Sequence, residues 1–400
     1  MSWKIAMIVE RPDAALGGAE RSVLELAAAL SACGLQVDIL AATGQANTGK
    51  IHVLCRNRPG KRVSYFTFAK ALRKHFTEHH YDIIHSVLPF DFADVYQPRG
   101  GTYAESILRN AASYQNRFLE SYKKLTAFAN LRRSVLLRAE RKLSRRPDGP
   151  VIVALSQYVA QQFKRRYGAD AQRIVVVPNG VKTDKRIDAK KADRLRSQIL
   201  AELGVAQTDD PVLFLFVANN FRLKGLAALI KAMAAAHRDT ERKGYLIVAG
   251  AGKKNKYRRL AEKAGLCATG KRIVFLGHIS HIQNALSIID VAVLPTYYDP
   301  SSRFILEALA AGKPVITTRF NGATDLFVSD RHGKVTDTPE NVNALAEAIS
   351  YFTKTDNIQK ASQAIIDDNL REKISIRRAA RQLMDVYESI LQRKGQRSCT

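Results

Sequence analysis

Short apolar runs alternate with amphipathic helical patterns in this chain, in two series separated by one charged stretch. Strands whose sequence neighbours are helices pair in parallel, because a parallel crossover needs a connection long enough to hold a helix. The first series reads as strand Lys4–Val9, a loop carrying Gly17-Gly18, helix Ala19–Ser31 and strand Gln36–Leu40. It continues through a helical stretch around Phe68–Phe76, strand Asp82–His85, strand Val151–Leu155, helix Tyr158–Tyr167 and strand Ile174–Val177, and ends at Pro178-Asn179-Gly180. Residues 181 to about 206 are charged and poor in aromatics, and read as a domain connection. The second series is strand Val212–Val217, helix Leu226–Ala236, strand Tyr245–Val248, helix Tyr257–Ala264 and strand Ile273–Leu276. Strand Val291–Leu294, helix Phe304–Ala311, strand Val315–Thr317 and helix Val342–Phe352 complete it. A closing amphipathic helix runs over roughly 374–392. Four hundred residues suit two cores rather than one. The expectation is an α/β fold of two doubly wound, Rossmann-like domains facing across a cleft.

Composition narrows the partners. The chain is 46% hydrophobic and 25% charged, which is globular. Its formal net charge is +26, with a pI near 10.0, so an anionic partner or surface is expected: nucleic acid, anionic lipid or a phosphorylated glycan. Cys33, Cys55, Cys267 and Cys399 are scattered, which suggests neither a disulfide framework nor a zinc site and favours a reducing compartment. The apolar run Ile5–Val9 is too short for a secretory leader, and no uninterrupted apolar segment would span a bilayer. Membrane contact, if made, is expected to be peripheral, at the cytoplasmic side.

The chemistry concentrates in residues 290–325, DVAVLPTYYDPSSRFILEALAAGKPVITTRFNGATD. A strand runs into a short loop that opens a helix whose first turn reads Ser301-Ser302-Arg303, with Asp299 before the helix and Glu307 within it. A helix N-terminus offers unpaired N–H groups and a positive dipole end to a phosphate. Carboxylates placed beside it accept from sugar hydroxyls. The segment therefore suits a nucleotide-sugar. After the first strand of this half comes Asn219-Asn220-Phe221-Arg222-Leu223-Lys224-Gly225, a strand-to-helix turn with a lysine.

These residues resemble the retaining nucleotide-sugar glycosyltransferases of the two-Rossmann-domain (GT-B) class, family 4 type, and most closely the lipopolysaccharide inner-core glucosyltransferase branch. The family motif is Glu, seven residues, then Glu, followed by Ala and a Gly-Pro-Val strand. Glu307-Ala308 and Gly312-Lys313-Pro314-Val315 match it, and Asp299 stands where the family has the first Glu. The resemblance implies an acceptor-binding domain over 1–182, with a basic, aromatic insertion at about 103–147 and completed by the C-terminal helix at about 374–395. The donor-binding domain is then 183–373. It implies catalytic roles for Lys224, Asp299, Glu307 and His85, Lys224 stabilising the charge that develops on the leaving diphosphate. Donor contacts are expected from Gly17, Gly18, Arg222, Lys224, Gly250, His278, Ser301, Ser302, Arg303 and Glu307. Asp91, Asp94 and Arg99 are acceptor candidates. The family needs no metal; His278 and His281 read as loop residues. Gly250-Ala251-Gly252 lacks the third glycine of a dinucleotide fingerprint, Asn255 standing there, so no nicotinamide is expected.

The implied reaction moves a hexose, glucose by the branch resemblance, from a nucleotide diphosphate sugar such as UDP-glucose to a lipid-linked or lipopolysaccharide-core glycan. Residues 131–146, LRRSVLLRAERKLSRR, follow a stretch in which Arg109, Arg117, Lys123 and Lys124 interleave with Tyr114, Phe118, Tyr122 and Phe128. Arg132, Arg133, Arg138, Arg141, Lys142, Arg145 and Arg146 suit an interfacial helix on an anionic membrane. Two other readings stand beside this one. A basic nucleic-acid-binding protein explains the charge but leaves Lys224, Asp299 and Glu307 without a role. A sugar-nucleotide epimerase on the same scaffold needs no membrane-facing helix.

Overall fold

The computed structural model describes residues 3–13, 17–45, 49–55, 62–127, 129–236, 242–267 and 270–398. Phe128 of the aromatic stretch and Cys399 lie outside them. The chain divides into two compact units. One comprises Met1–Ala111, Gln115–Gly180 and Ser375–Thr400, the other Ala112–Tyr114 and Val181–Ile374.

The first unit is built in chain order from β1 (Lys4–Val9), α1 (Gly18–Ala32), β2 (Gln36–Ala41), β3 (Ile51–Val53), α2 (Tyr65–Glu78), β4 (Ile83–Ser86) and β5 (Val95–Tyr96). Then follow α3 (Tyr103–Ala112), α4 (Arg117–Ala127), α5 (Leu131–Arg145), β6 (Val151–Ala154), α6 (Gln157–Gln162) and β7 (Ile174–Val176). All seven strands are parallel, in the order β3-β2-β1-β4-β5-β6-β7. β1 is buried along nearly its whole length, as a central parallel strand covered on both faces must be. The helix expected to reach Tyr167 does so in two parts: α6 passes into a π-helical turn, Phe163–Tyr167, which ends at Gly168 with φ 64°.

The second unit holds α7 (Ala189–Leu203), β8 (Val212–Val217), α8 (Leu226–Ala236), β9 (Gly244–Ala249), α9 (Asn255–Lys263), β10 (Ile273–Gly277), α10 (Ile282–Ile288) and β11 (Val291–Leu294). α11 (Arg303–Ala310), β12 (Val315–Thr318), β13 (Gly333–Thr336), α12 (Val342–Tyr351), α13 (Thr355–Asp367) and α14 (Leu370–Lys373) complete it. Its six parallel strands run β10-β9-β8-β11-β12-β13. The charged stretch expected to be a mere connection contains α7, capped by Asp188. Ile199, Leu200 and Leu203 sink into the second core, so three apolar residues outweigh an otherwise polar sequence.

The closing helix α15 (Ile376–Ser398) belongs to the first unit. Ala380, Leu383, Tyr387 and Ile390 pack with Val23, Leu26 and Leu30 of α1 in one core.

Candidate active site

β8 and β11 are adjacent and lie on either side of the point where the strand order of the second unit reverses. In a doubly wound sheet the loops leaving such strands open a crevice suited to a ligand. Here they are residues 218–225 and 295–302, and they are stitched together. The Tyr297 N–H donates to the Leu223 carbonyl at 2.9 Å, and Thr296 Oγ1 donates to the same oxygen at 3.3 Å. Gly225 has φ 79°, and a Cβ there would sit 1.9 Å from the Pro295 carbonyl oxygen, so the turn after Lys224 accepts only glycine. That close approach delivers Lys224 to the second loop. Its Nζ donates to the Tyr298 carbonyl at 2.9 Å and to Asp299 Oδ2 at 2.7 Å.

Asp299 is fixed on every side. Its Oδ1 accepts from the Ser301 N–H at 3.2 Å, its own N–H donates to Phe320 O at 2.9 Å, and its carbonyl accepts from the Gly322 N–H at 2.8 Å. Asn321, fully buried, anchors the next turn. Its Oδ1 accepts from the Ser302 and Ala323 N–H groups, both at 3.1 Å, and its Nδ2 donates to Thr317 Oγ1 at 3.0 Å. The sequence places Ser301-Ser302-Arg303 in the first helical turn. The structure starts α11 at Arg303, with Ser302 extended as the N-cap. Glu307 lies one turn further in and is buried. Arg303 Nη2 stands 3.4 Å and Lys185 Nζ 3.9 Å from Glu307 Oε1. A cavity of about 440 Å³ opens beside Glu307, lined also by Lys182, Lys185 and Arg371. Lys224, Asp299, Ser301, Ser302, Arg303 and Glu307 thus share one corner of the second unit. Cations beside a helix N-terminus form a site for a doubly charged anion, and the carboxylates flank it as acceptors. Asn321 and Lys185 carry no clear signal of a site role in the sequence: Asn321 sits in Phe320-Asn321-Gly322 after a strand, and Lys185 in the charged stretch 181–206.

The other expected donor contacts are differently placed. Arg222 stacks its guanidinium 3.8 Å from the Tyr114 ring centroid and donates to Ser113 Oγ, so its charge is engaged with residues 112–114. Gly250 has φ 128° and donates its N–H to Gly277 O at 2.6 Å; a Cβ there would fall 1.8 Å from Ala218 O. Its glycine identity thus follows from the packing of neighbouring loops. His278 is exposed just past β10. No group of three His, Cys, Asp or Glu side chains among the described residues could hold a metal ion.

In the first unit Gly17 precedes α1 as its cap, Gly18 is its first residue, and the Gly17 carbonyl accepts from the Arg21 N–H at 3.2 Å. His85, expected to be catalytic, is instead sealed inside, 1% exposed, with Nδ1 2.7 Å from the Tyr387 hydroxyl. Burial, reinforced by the Arg99 charge, pushes it down to about 3, so it is neutral. Arg99 is spent on Ser22, Gln97 and Asn179. Asp94 holds the Ile84 N–H at 2.8 Å and pairs with Lys394 at 2.7 Å. Asp91 stays exposed and pairs with Arg73 at 3.3 Å.

The basic helix α5 is anchored at its centre and its end. Glu140 turns inward, fully buried, and accepts from Tyr96 OH at 2.7 Å, Tyr167 OH at 2.6 Å and the Tyr103 N–H at 2.8 Å. Arg173 donates to the carbonyls of Leu143, Ser144, Arg146 and Pro150 at the helix end. Of the seven residues read as a membrane face, three are engaged within the unit. Arg132 pairs with Glu10 at 2.7 Å, Arg145 donates to Tyr167 O, and Arg146 pairs with Asp148. Arg133, Arg138, Arg141 and Lys142 are exposed. The preceding helix α4 presents Phe118, 89% exposed, Tyr122 and Leu125 at i, i+4 and i+7, an exposed apolar face.

Residues 204–371 match the family described as Glycosyl transferases group 1, and residues 16–185 match Glycosyltransferase Family 4. This chain belongs to that glycosyltransferase family. Among curated relatives, the lipopolysaccharide glucosyltransferase WaaG of Escherichia coli (strain K12) is 22% identical over 339 residues, 83% of this chain and 85% of WaaG. A D-inositol 3-phosphate glycosyltransferase of Xylanimonas cellulosilytica is 25% identical over 62% of this chain and 58% of its own. The fold of this glycosyltransferase is shared with the crystal structure of WaaG, at a TM-score of 0.65, 20% identity and 98% coverage of both chains. Anabaena HepE in complex with UDP and glucose has a TM-score of 0.66 at 19% identity, with 97% of this chain and all of that one covered. The two parallel-sheet α/β units are those of the GT-B class.

Proposed function

We propose that this glycosyltransferase moves glucose from UDP-glucose, with retention at the anomeric carbon, to a lipid-linked or lipopolysaccharide-core glycan. The observation that carries the donor half of this reading is the Lys224–Asp299 contact at the reversal point of the second sheet, beside the start of α11. In this reading the diphosphate lies against the α11 N-terminus and draws on Lys224. Charge grows on the departing phosphate as the glycosidic bond stretches, so a preplaced ammonium stabilises the transition state more than the bound donor. Glu307 accepts from the ribose hydroxyls. Asp299 accepts from a hydroxyl of the transferred sugar. Lys224 and the helix dipole neutralise the diphosphate, which makes the reaction metal-independent. Attack comes from the leaving-group face, the donor phosphate oxygen taking the acceptor proton.

The names borne by WaaG and by the HepE complex support glucose and UDP as the first choices. The acceptor reading rests on the first unit. α4 exposes an apolar face, and α5 exposes Arg133, Arg138, Arg141 and Lys142, with Arg145 exposed as well but donating to the Tyr167 carbonyl. No helix among the described residues is long and apolar enough to cross a membrane. The proposed place of work is therefore the cytoplasmic membrane face, with contact through these two helices. Thermal shift against a panel of nucleotide sugars tests the donor, since a ligand that binds only the native state raises apparent stability. UDP-glucose should give the largest rise. A larger response to a guanosine or cytidine sugar would overturn the assignment.

A further inference from the structure

A groove of about 360 Å³ in the first unit lies between α2 and α5, closed below by the loop after β4. Its floor is aromatic. Tyr65 and Phe90 stack at 4.8 Å between centroids, and Phe90 and Phe92 at 5.1 Å. The Tyr65 hydroxyl is spent on the Pro89 carbonyl at 2.8 Å, so the ring offers only its apolar face. Phe66, 67% exposed, stands at one wall, and Val135 and Leu143 of α5 form the other. The polar groups are on the rim. Arg73 and Asp91 pair with each other there, and Arg73 also lies over the Phe92 ring at 5.2 Å. Arg138 and Lys142 are exposed and make no ion pair among the described residues. Leu131, 81% exposed, Val135, Arg138 and Lys142 fall at i, i+4, i+7 and i+11, so one face of α5 carries the apolar wall and both cations.

We infer that this groove holds one acyl chain of an anionic bilayer lipid, with the lipid phosphate between Arg138 and Lys142. An aromatic floor with no polar atom to offer gains from a hydrocarbon chain and gives nothing to a sugar's hydroxyls. Two cations over that floor supply the complementary charge for a phosphate at the chain's head. A flat basic surface would attract a membrane by charge alone; the groove adds a seat for a chain and fixes which face of α2 and α5 meets the lipid. The inference rests on the membrane reading above and goes beyond it by naming the seat.

The test uses the full chain with Trp3→Phe and Phe66→Trp, so that a single tryptophan reports from the groove wall. Vesicles of phosphatidylglycerol with brominated acyl chains should quench its emission, and phosphatidylcholine vesicles should not. Ala139→Phe, which fills the groove, should abolish quenching while flotation with anionic vesicles persists. Arg138→Gln with Lys142→Gln should weaken partitioning by roughly 30-fold, about fivefold per cation. Circular dichroism confirms that each variant is folded. Flotation without quenching overturns the seat and leaves the membrane reading standing. Quenching unchanged in Ala139→Phe overturns it as well. Absence of flotation overturns both, while transfer to a soluble acceptor would still report on the donor site. Self-association that Ala139→Phe abolishes would assign the groove to a second copy instead.

Discussion

Lys224 Nζ lies 2.7 Å from Asp299 Oδ2, a contact made across 75 residues by two loops that meet where the second sheet reverses its strand order. The pair fixes the ammonium without burying it deeply, the two side chains being 20% and 15% exposed. Lys224→Ala should therefore leave the fold intact and lower turnover by about 100- to 1000-fold, the usual loss when one preplaced group for developing charge is removed. Asp299→Asn keeps the loop geometry and should have a smaller effect. Steady-state kinetics on both variants decide the point. Turnover near wild type in Lys224→Ala would remove it from the site.

Asn321 holds three polar partners with one buried amide. Asn321→Ala leaves the Ser302 and Ala323 N–H groups to find other partners, while the Thr317 hydroxyl keeps its bond to the Leu294 carbonyl, and each buried group left unsatisfied costs about 1–3 kcal/mol. The second unit should lose several kcal/mol, read by chemical denaturation. Donor affinity should fall as well, because the start of α11 loses its tether at Ser302. An unchanged unfolding midpoint would show that the turn has another anchor.

Much of this was legible from sequence, and the failures have physical causes. Central strands such as β8, VLFLFV, are buried on both faces and read as unbroken apolar runs. The edge strand β3 has three residues and β5 two, too short for any period to register. Lys224 and Asp299 were found because their turn and loop carry a recognisable pattern. Their mutual contact was not, because it depends on Gly225 meeting Pro295, a tertiary approach. His85 misled for a related reason. A histidine at a strand end reads alike whether it faces solvent or, as here, the Tyr387 hydroxyl of a helix 302 residues later.

Two buried groups in the first unit predict opposing pH responses. Burial raises Glu140 to about 7, although Tyr167, Tyr96 and the Tyr103 N–H hold the carboxylate and pull the other way. The folded state then prefers the protonated acid. Its contribution is fully present below the ordinary value of 4.5 and is lost as pH rises toward about 7. His85, held down at about 3, has the reverse sign. The unfolded chain binds the proton first, so stability is lost as pH falls from 6.5 toward 3. Denaturation of wild type and Glu140→Gln between pH 4.5 and 7.5 should show a difference that changes across this window, wild type losing ground as pH rises. A difference that is flat with pH would mean that the three donors outweigh burial and keep Glu140 ionised throughout.

The membrane prediction is sharpened by which cations face outward. Arg132 and Arg146 are half-buried and paired with Glu10 and Asp148, Arg145 is exposed but donates to the Tyr167 carbonyl, and Arg133, Arg138, Arg141 and Lys142 are exposed and make no ion pair among the described residues. Each cation near an anionic surface contributes about 1 kcal/mol, and salt screens the attraction within a Debye length of about 10 Å at 0.1 M. The apolar face of α4 adds a contribution that salt leaves intact, since removing Phe118 and Leu125 from water does not depend on charge. Flotation with liposomes of rising anionic content should therefore show two separable components. Neutralising the four outward cations should abolish the dependence on lipid charge and on salt. Phe118→Ser with Leu125→Ser should weaken binding at every salt concentration and leave that dependence in place. Neutralising Arg132 should change binding far less and lower the unfolding midpoint, because it is half-buried against Glu10 and the Val63 carbonyl, and neutralising Arg146, whose partner Asp148 is exposed, should also change binding less than the outward four. If those two matter as much as the outward four, α5 does not meet the membrane in its folded orientation. If binding ignores lipid charge altogether, a soluble acceptor replaces the lipid-linked one.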